Sequence, residues 1–116
     1  MPETIEIGKL TVTIKGTADE PVIELAGQII DSDVKRVQKS MDSVYKNKCH
    51  TVYLDVSKAT YIDSHGLGTI VYYHTMLQKD KNELIIINSN ADKNSYLSRM
   101  FEQTNLNKVL NIVEER

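Results

Sequence analysis

The residues best suited to chemistry are consecutive: Asp63, Ser64 and His65, followed by Gly66, Leu67 and Gly68. A carboxylate, a hydroxyl and an imidazole are the three residue types of a hydrolytic triad. Neighbours at a helix start point about 100° apart, however, so they cannot relay a proton in that order. The serine lies in no Gly-x-Ser-x-Gly elbow. The arrangement suits an anion better. Asp63 or Ser64 is a good N-cap residue, because a short side-chain oxygen there accepts a backbone N–H that the first helical turn leaves unpaired. A helix N-terminus carries a partial positive charge, and a serine there puts a small hydroxyl beside the free N–H groups, a good seat for a phosphate. Each glycine inside a helix costs roughly 1 kcal/mol against alanine, so Gly66 and Gly68 must be retained for packing or for function. A broken local rule of this kind suggests a site. The functional reading is that both glycines keep the surface low for an approaching partner, with a leucine at 66 tolerated by the helix. The plainer reading is close packing of helix on strand.

Other constellations are weaker. His50, His65 and His74 do not have the three- or four-residue spacing of metal ligands on one helix, and no metal or other cofactor is implied. Gly66-Leu67-Gly68 lacks the Lys-Ser/Thr of a P-loop and the third glycine of a dinucleotide fingerprint. Cys49 is the only cysteine, which excludes an internal disulfide and reads as a small buried residue. His74 is expected on the inner edge of its helix and His50 at a strand end.

The elements that must position this junction are legible from periodicity. Ile5 and Ile7 suggest a frayed arm or a short edge strand. Leu10, Val12 and Ile14 alternate with polar residues as a strand with one wet face, and Val22 to Ala26 returns after a turn over residues 16 to 21, with Gly27 ending it. Asp31, Ser32 and Asp33 offer N-caps for an amphipathic helix to about Lys46, carried by Val34, Val37, Met41, Val44 and Tyr45. Thr51 to Val56 reads as a third strand. The helix after the junction, to about Lys79, shows one face in Leu67, Ile70, Val71, His74 and Leu77. Glu83 to Asn88 contains four consecutive apolar residues, as in a strand buried on both faces. A polar loop over residues 88 to 95 leads to a third helix with Leu97, Met100 and Phe101 inward. A turn and a short last strand then contain Leu106, Val109, Leu110 and Ile112. Strands alternating with helices predict an α/β layer.

At 116 residues one domain is expected, spanning residues 1 to 116. The net charge of −2 and the absence of a basic patch with interleaved aromatics argue against nucleic acid. No apolar run approaches the roughly 20 residues of a membrane span, and the N-terminus does not resemble a signal peptide. A cytoplasmic location without membrane insertion is expected.

The run Leu54-Asp55-Val56-Ser57 followed by Tyr61-Ile62-Asp63-Ser64-His65-Gly66-Leu67-Gly68 resembles the signature of STAS domains, and most closely that of bacterial anti-sigma factor antagonists. There a hydrophobic strand with Asp precedes Asp-Ser-[Ser/Thr/Ala]-Gly-Leu-Gly. Leu25-Ala26-Gly27 matches the strand-Gly before the family's first helix, and Thr104-Asn105-Leu106 resembles the Thr-Gly-Leu or Ser-Gly-Leu after its third. The resemblance implies a STAS fold, a mixed four- to five-stranded sheet with helices mainly on one face. It implies that Ser64 is the phosphorylated serine, with Asp63, His65, Gly66, Leu67, Gly68, Asp31 and Asp55 as partner- or kinase-binding residues and no catalytic residue. It further implies a partner-switching regulator, with an anti-sigma factor and serine kinase of histidine-kinase-like ATPase fold and a PP2C-type phosphatase as its partners. A STAS binding module of another pathway, such as a lipid-transport ATPase subunit, and a small enzyme using Ser64 or Asp63 are the alternatives. Four features depart from the family, the first being a loop before the third helix that is a few residues longer than usual and lacks the customary Pro. His65 stands where the family has a small residue, Asp31 matches only with one inserted residue, and many members continue into a last helix beyond the point matching Arg116.

Overall fold

The computed structural model describes residues 10–46, 49–89 and 96–115, with the side chain of Asp31 excepted. The expectations for residues 1–9 and for the loop at 90–95 lie outside these. A hairpin opens the fold: β1 (Thr11–Gly16) runs antiparallel to β2 (Pro21–Ile29). Gly16 enters the turn at φ 82, where a Cβ would meet the Glu20 carbonyl at 2.6 Å, so only glycine fits. Then follow α1 (Asp31–Lys46), β3 (Thr51–Ile62), α2 (Ser64–Lys79), β4 (Glu83–Ile87), α3 (Tyr96–Gln103), a 3₁₀ turn (Leu106–Lys108) and β5 (Asn111–Val113). The strands lie in sequence order in one five-stranded mixed sheet, β2 to β5 all parallel.

Two strands run longer than the sequence pattern predicts. β2 continues through Gly27, at φ 105, to Ile29, and β3 continues past Val56 to Ile62. The cause is visible in their register. Glu24 pairs with Asp55 but Ala26 with Lys58, and Gly27 pairs with Ala59 but Gln28 with Tyr61, so β3 carries an extra residue at each shift. A bulge breaks strict alternation. The buried residues of β3 therefore step from Val52, Leu54 and Val56 to Ala59 and Ile62.

All three helices contribute to one core on one face of the sheet. Val34, Val37, Met41 and Val44 of α1, Leu67, Ile70 and Leu77 of α2, and Leu97 and Phe101 of α3 cluster with Ile23, Leu54 and Ile86 from the strands. On α2 the buried stripe is rotated from the expected one. Thr69 and Tyr73 are buried, whereas Val71 and His74 are only half-buried. The Tyr73 ring lies toward α1, where its single hydroxyl proton is donated to Asp42 Oδ1 and shared with the Gln38 carbonyl at 3.2 Å. A phenol can thus be buried with its polar end satisfied. Cys49 is buried as expected, its thiol 3.3 Å from the Val44 carbonyl and pushed up in pKa by that burial, which keeps it a protonated thiol.

Candidate functional site

The end of β2 holds the starts of both long helices. The Ile30 carbonyl accepts from the backbone N–H groups of Asp33 and Val34 in α1, and the Ile29 carbonyl accepts from Asp63 at 3.1 Å. Asp63 is the N-cap of α2, in extended backbone (φ −95, ψ 179), and its carboxylate accepts the Gly66 N–H at 2.8 Å. Its carbonyl takes the first helical bond, from Leu67 at 3.0 Å. Ser64 is then the first helical residue, and it is exposed.

Ser64 opens into a groove of about 570 Å³ between α1 and α2. His65, Gly68 and Tyr72 line it from α2, Gln38 and Asp42 from α1, and the buried Tyr73 forms its floor. Tyr72 is 58 % exposed, the most exposed large hydrophobic side chain among those described. On the other side of Asp63, Tyr61 at the end of β3 stacks on Tyr96 at the start of α3, ring centroids 4.6 Å apart and 21° from parallel. Desolvation raises the Tyr96 hydroxyl pKa, aided by its bond with Tyr61 and the charge of Asp63, while Arg99 opposes the shift. Asp63 and Ser64 thus follow Tyr61 of an aromatic pair in the chain, and Ser64 opens an aromatic-lined groove.

The two glycines have different environments. A Cβ on Gly66 would lie 2.8 Å from Ile62 Cγ1 and 2.9 Å from Ile29 Cγ2, so its hydrogen is a packing requirement between helix and sheet. This corrects the expectation that Gly66 keeps the outer surface low and that leucine would be tolerated there. Leu67 likewise points into the core at 8 % exposure and offers no side chain to a partner. Gly68 is exposed, and nothing lies within 4 Å of where its Cβ would be. Of the remaining candidates, His65 is exposed beside Ser64 in the groove. Asp31 begins α1, and its side chain lies outside the described residues. Asp55 is not brought to Ser64: it lines clefts with Glu24 and Ser89 that share no residue with the groove. Gln38, Asp42, Tyr72 and Tyr73 did not stand out in the sequence. Their only signal was spacing, with Gln38 and Asp42 four apart on one face of α1 and Tyr72 four beyond Gly68. Among the described residues no group of three or more His, Cys, Asp or Glu is placed to hold a metal ion, and no helix is long and apolar enough to cross a membrane.

A mixed sheet covered on one face by helices, with an exposed serine at the start of the helix after its central strand, defines a small α/β class built around that junction. The chain belongs to the STAS domain family, whose model matches residues 10–116. Solved structures agree on the fold. An anti-sigma factor antagonist from Mycobacterium paratuberculosis is 15 % identical with a TM-score of 0.73, over 90 % of this chain and 86 % of that one. The anti-sigma factor antagonist SpoIIAA in its unphosphorylated form is 16 % identical with a TM-score of 0.69, over 91 % and 90 %. The Bacillus cell fate determinant SpoIIAA in its phosphorylated form is 15 % identical with a TM-score of 0.66, over 89 % and 91 %. Among curated protein sequences none matches this chain.

Proposed function

We propose that this domain is an anti-sigma factor antagonist, a partner-switching regulator controlled by reversible phosphorylation of Ser64. The carrying observation is the place of that serine: exposed, first in a helix capped by Asp63, and opening into the α1–α2 groove. A phosphate there meets the helix dipole and its N–H groups without entering the core. The structural likeness to SpoIIAA, solved in both phosphorylated and unphosphorylated forms, supports the reading.

In the unphosphorylated state the groove binds a kinase-like anti-sigma factor of histidine-kinase-like ATPase fold and so frees a sigma factor. That partner phosphorylates Ser64 and is released, and a PP2C-type phosphatase restores the hydroxyl. The protein acts in the cytoplasm as a binding partner and not as an enzyme. His65, Gly68 and Tyr72 form the contact surface, and Asp63 fixes the helix start. Mass spectrometry of the protein from its native cell tests this directly. Phosphate on Ser64 is expected, and a serine left unmodified under every growth condition in which the protein is made would defeat the proposal.

A further inference from the structure

The second face of the sheet carries a surface that the switch does not use. Strand register places Val22 beside Tyr53, Tyr53 beside Ile85, and Ile87 beside both Asp55 and Val113. These alternate with the core residues Ile23, Leu54, Ile86 and Ile112, so they point away from the helices. Among the described residues no helix packs there, and Tyr53, Ile85 and Val113 are half-exposed. The apolar strip has an acidic rim. Glu24 pairs with Asp55 in register, Glu114 and Glu115 line the same cleft, and Glu83 lies at the far end, bonded to Asn111 at 2.9 Å. Among the described residues, Lys15, paired with Glu24 at 3.2 Å, and Lys58 stand against these five carboxylates.

We infer that this face docks a basic amphipathic helix of a partner protein, with its apolar stripe on Tyr53 and Ile85 and its Lys or Arg side chains over the rim. Charge complementarity selects the occupant. A second copy of the chain would set one acidic rim against another, and like charges across an interface are disfavoured. Nucleic acid is repelled for the same reason. Size agrees, since five strands at about 4.8 Å spacing span roughly 19 Å, room for one helix of about 10 Å diameter. The face shares no residue with the Ser64 groove, so both can be occupied together.

The test uses the whole chain, ¹⁵N-labelled, and two synthetic helical peptides of about 18 residues, long enough to hold a helix. One has a leucine stripe flanked by lysines and the other the same stripe flanked by glutamates. The Leu/Lys peptide should shift the amides of Tyr53, Ile85, Asn111 and Val113, weaken as salt is raised, and lose about tenfold in affinity in the double variant Glu24→Lys, Glu114→Lys. The Leu/Glu peptide should leave these amides unmoved. Ile85→Ser, with an unchanged circular dichroism spectrum, should also lose the response, and if that variant does not fold the charge variant decides. Equal response to both peptides, shifts on the α1–α2 face, or a concentration-dependent dimer by sedimentation would each overturn the inference.

Discussion

Gly66 of α2 meets Ile29 of β2 so closely that a methyl group at position 66 would sit 2.9 Å from Ile29 Cγ2 and 3.3 Å from its carbonyl. The same carbonyl accepts the Asp63 N–H. One residue at the end of β2 therefore fixes both the cap and the first turn of α2. The serine between them is held by backbone and packing, and it is exposed.

The paired glycines should respond oppositely to alanine. Gly66→Ala gains up to about 1 kcal/mol of helix propensity but overpacks the contact with Ile29 and Ile62, which typically costs about 1–3 kcal/mol. Net destabilisation is expected. Gly68→Ala meets nothing within 4 Å and should stabilise by up to about 1 kcal/mol. Urea denaturation of the two variants measures the difference, and an equal response would contradict the packing at Gly66.

Asp63→Ala removes the acceptor of the Gly66 N–H and should cost about 1 kcal/mol, within the roughly 0.5–2 kcal/mol range of N-cap losses. Asp63→Asn keeps a cap oxygen and should recover most of it. Thermal unfolding of the three proteins checks the order.

Sequence patterning located α1, α2, β4 and α3 closely, because each has an apolar period or run that a single element must bury. It stopped β3 at Val56, since the bulges shift Ala59 and Ile62 to the core side at a spacing of three, where a strand is recognised by a spacing of two. Ser64 and its cap were legible because capping is local chemistry. The burial of Gly66 was not, as it depends on Ile29, far away in sequence. The groove was missed for the same reason: Asp42 and Tyr73 belong to different helices and meet only when these pack. Asp55, read with Ser64 from a shared motif, faces the other side of the sheet, because it alternates with Leu54 and Val56, whose side chains enter the core.

Tyr73 makes stability fall at alkaline pH. Burial, and then its bond to the Asp42 carboxylate, raise its hydroxyl pKa well above the ordinary value of 10.0. The sign follows from proton counting. Below pH 10 both folded and unfolded chains hold the proton. Above it the unfolded chain loses its proton first, so the folded state loses stability as pH rises from about 10 toward the folded value. Tyr73→Phe should flatten this alkaline limb and cost about 1 kcal/mol at neutral pH through the lost hydrogen bonds. Urea titrations followed by circular dichroism at neutral and alkaline pH separate the two effects.

The switch should act on the complex and leave the fold intact. Phosphorylating Ser64 adds about −1.5 to −2 charges and three acceptor oxygens at a helix N-terminus. In the free protein that charge meets N–H donors and the dipole, worth about 0.3–1 kcal/mol at an exposed site, with Asp63 next to it opposing. The unfolding midpoint should move little. In the complex, a phosphate would be desolvated against a surface shaped for a neutral hydroxyl and for the rings of His65 and Tyr72, and an uncompensated buried charge costs about 3–5 kcal/mol. At about 1.4 kcal/mol per decade the loss of affinity is roughly 100-fold or more. Ser64→Ala should bind the anti-sigma partner constitutively. Ser64→Asp, with less charge and a shorter reach, should bind with intermediate affinity. Gly68→Leu fills the open surface beside Ser64 without touching the core, and should weaken the unphosphorylated complex while the free domain stays folded. Calorimetric titration of these forms against the partner decides the matter: equal affinities for phosphorylated and unphosphorylated protein would mean that Ser64 is not the switch.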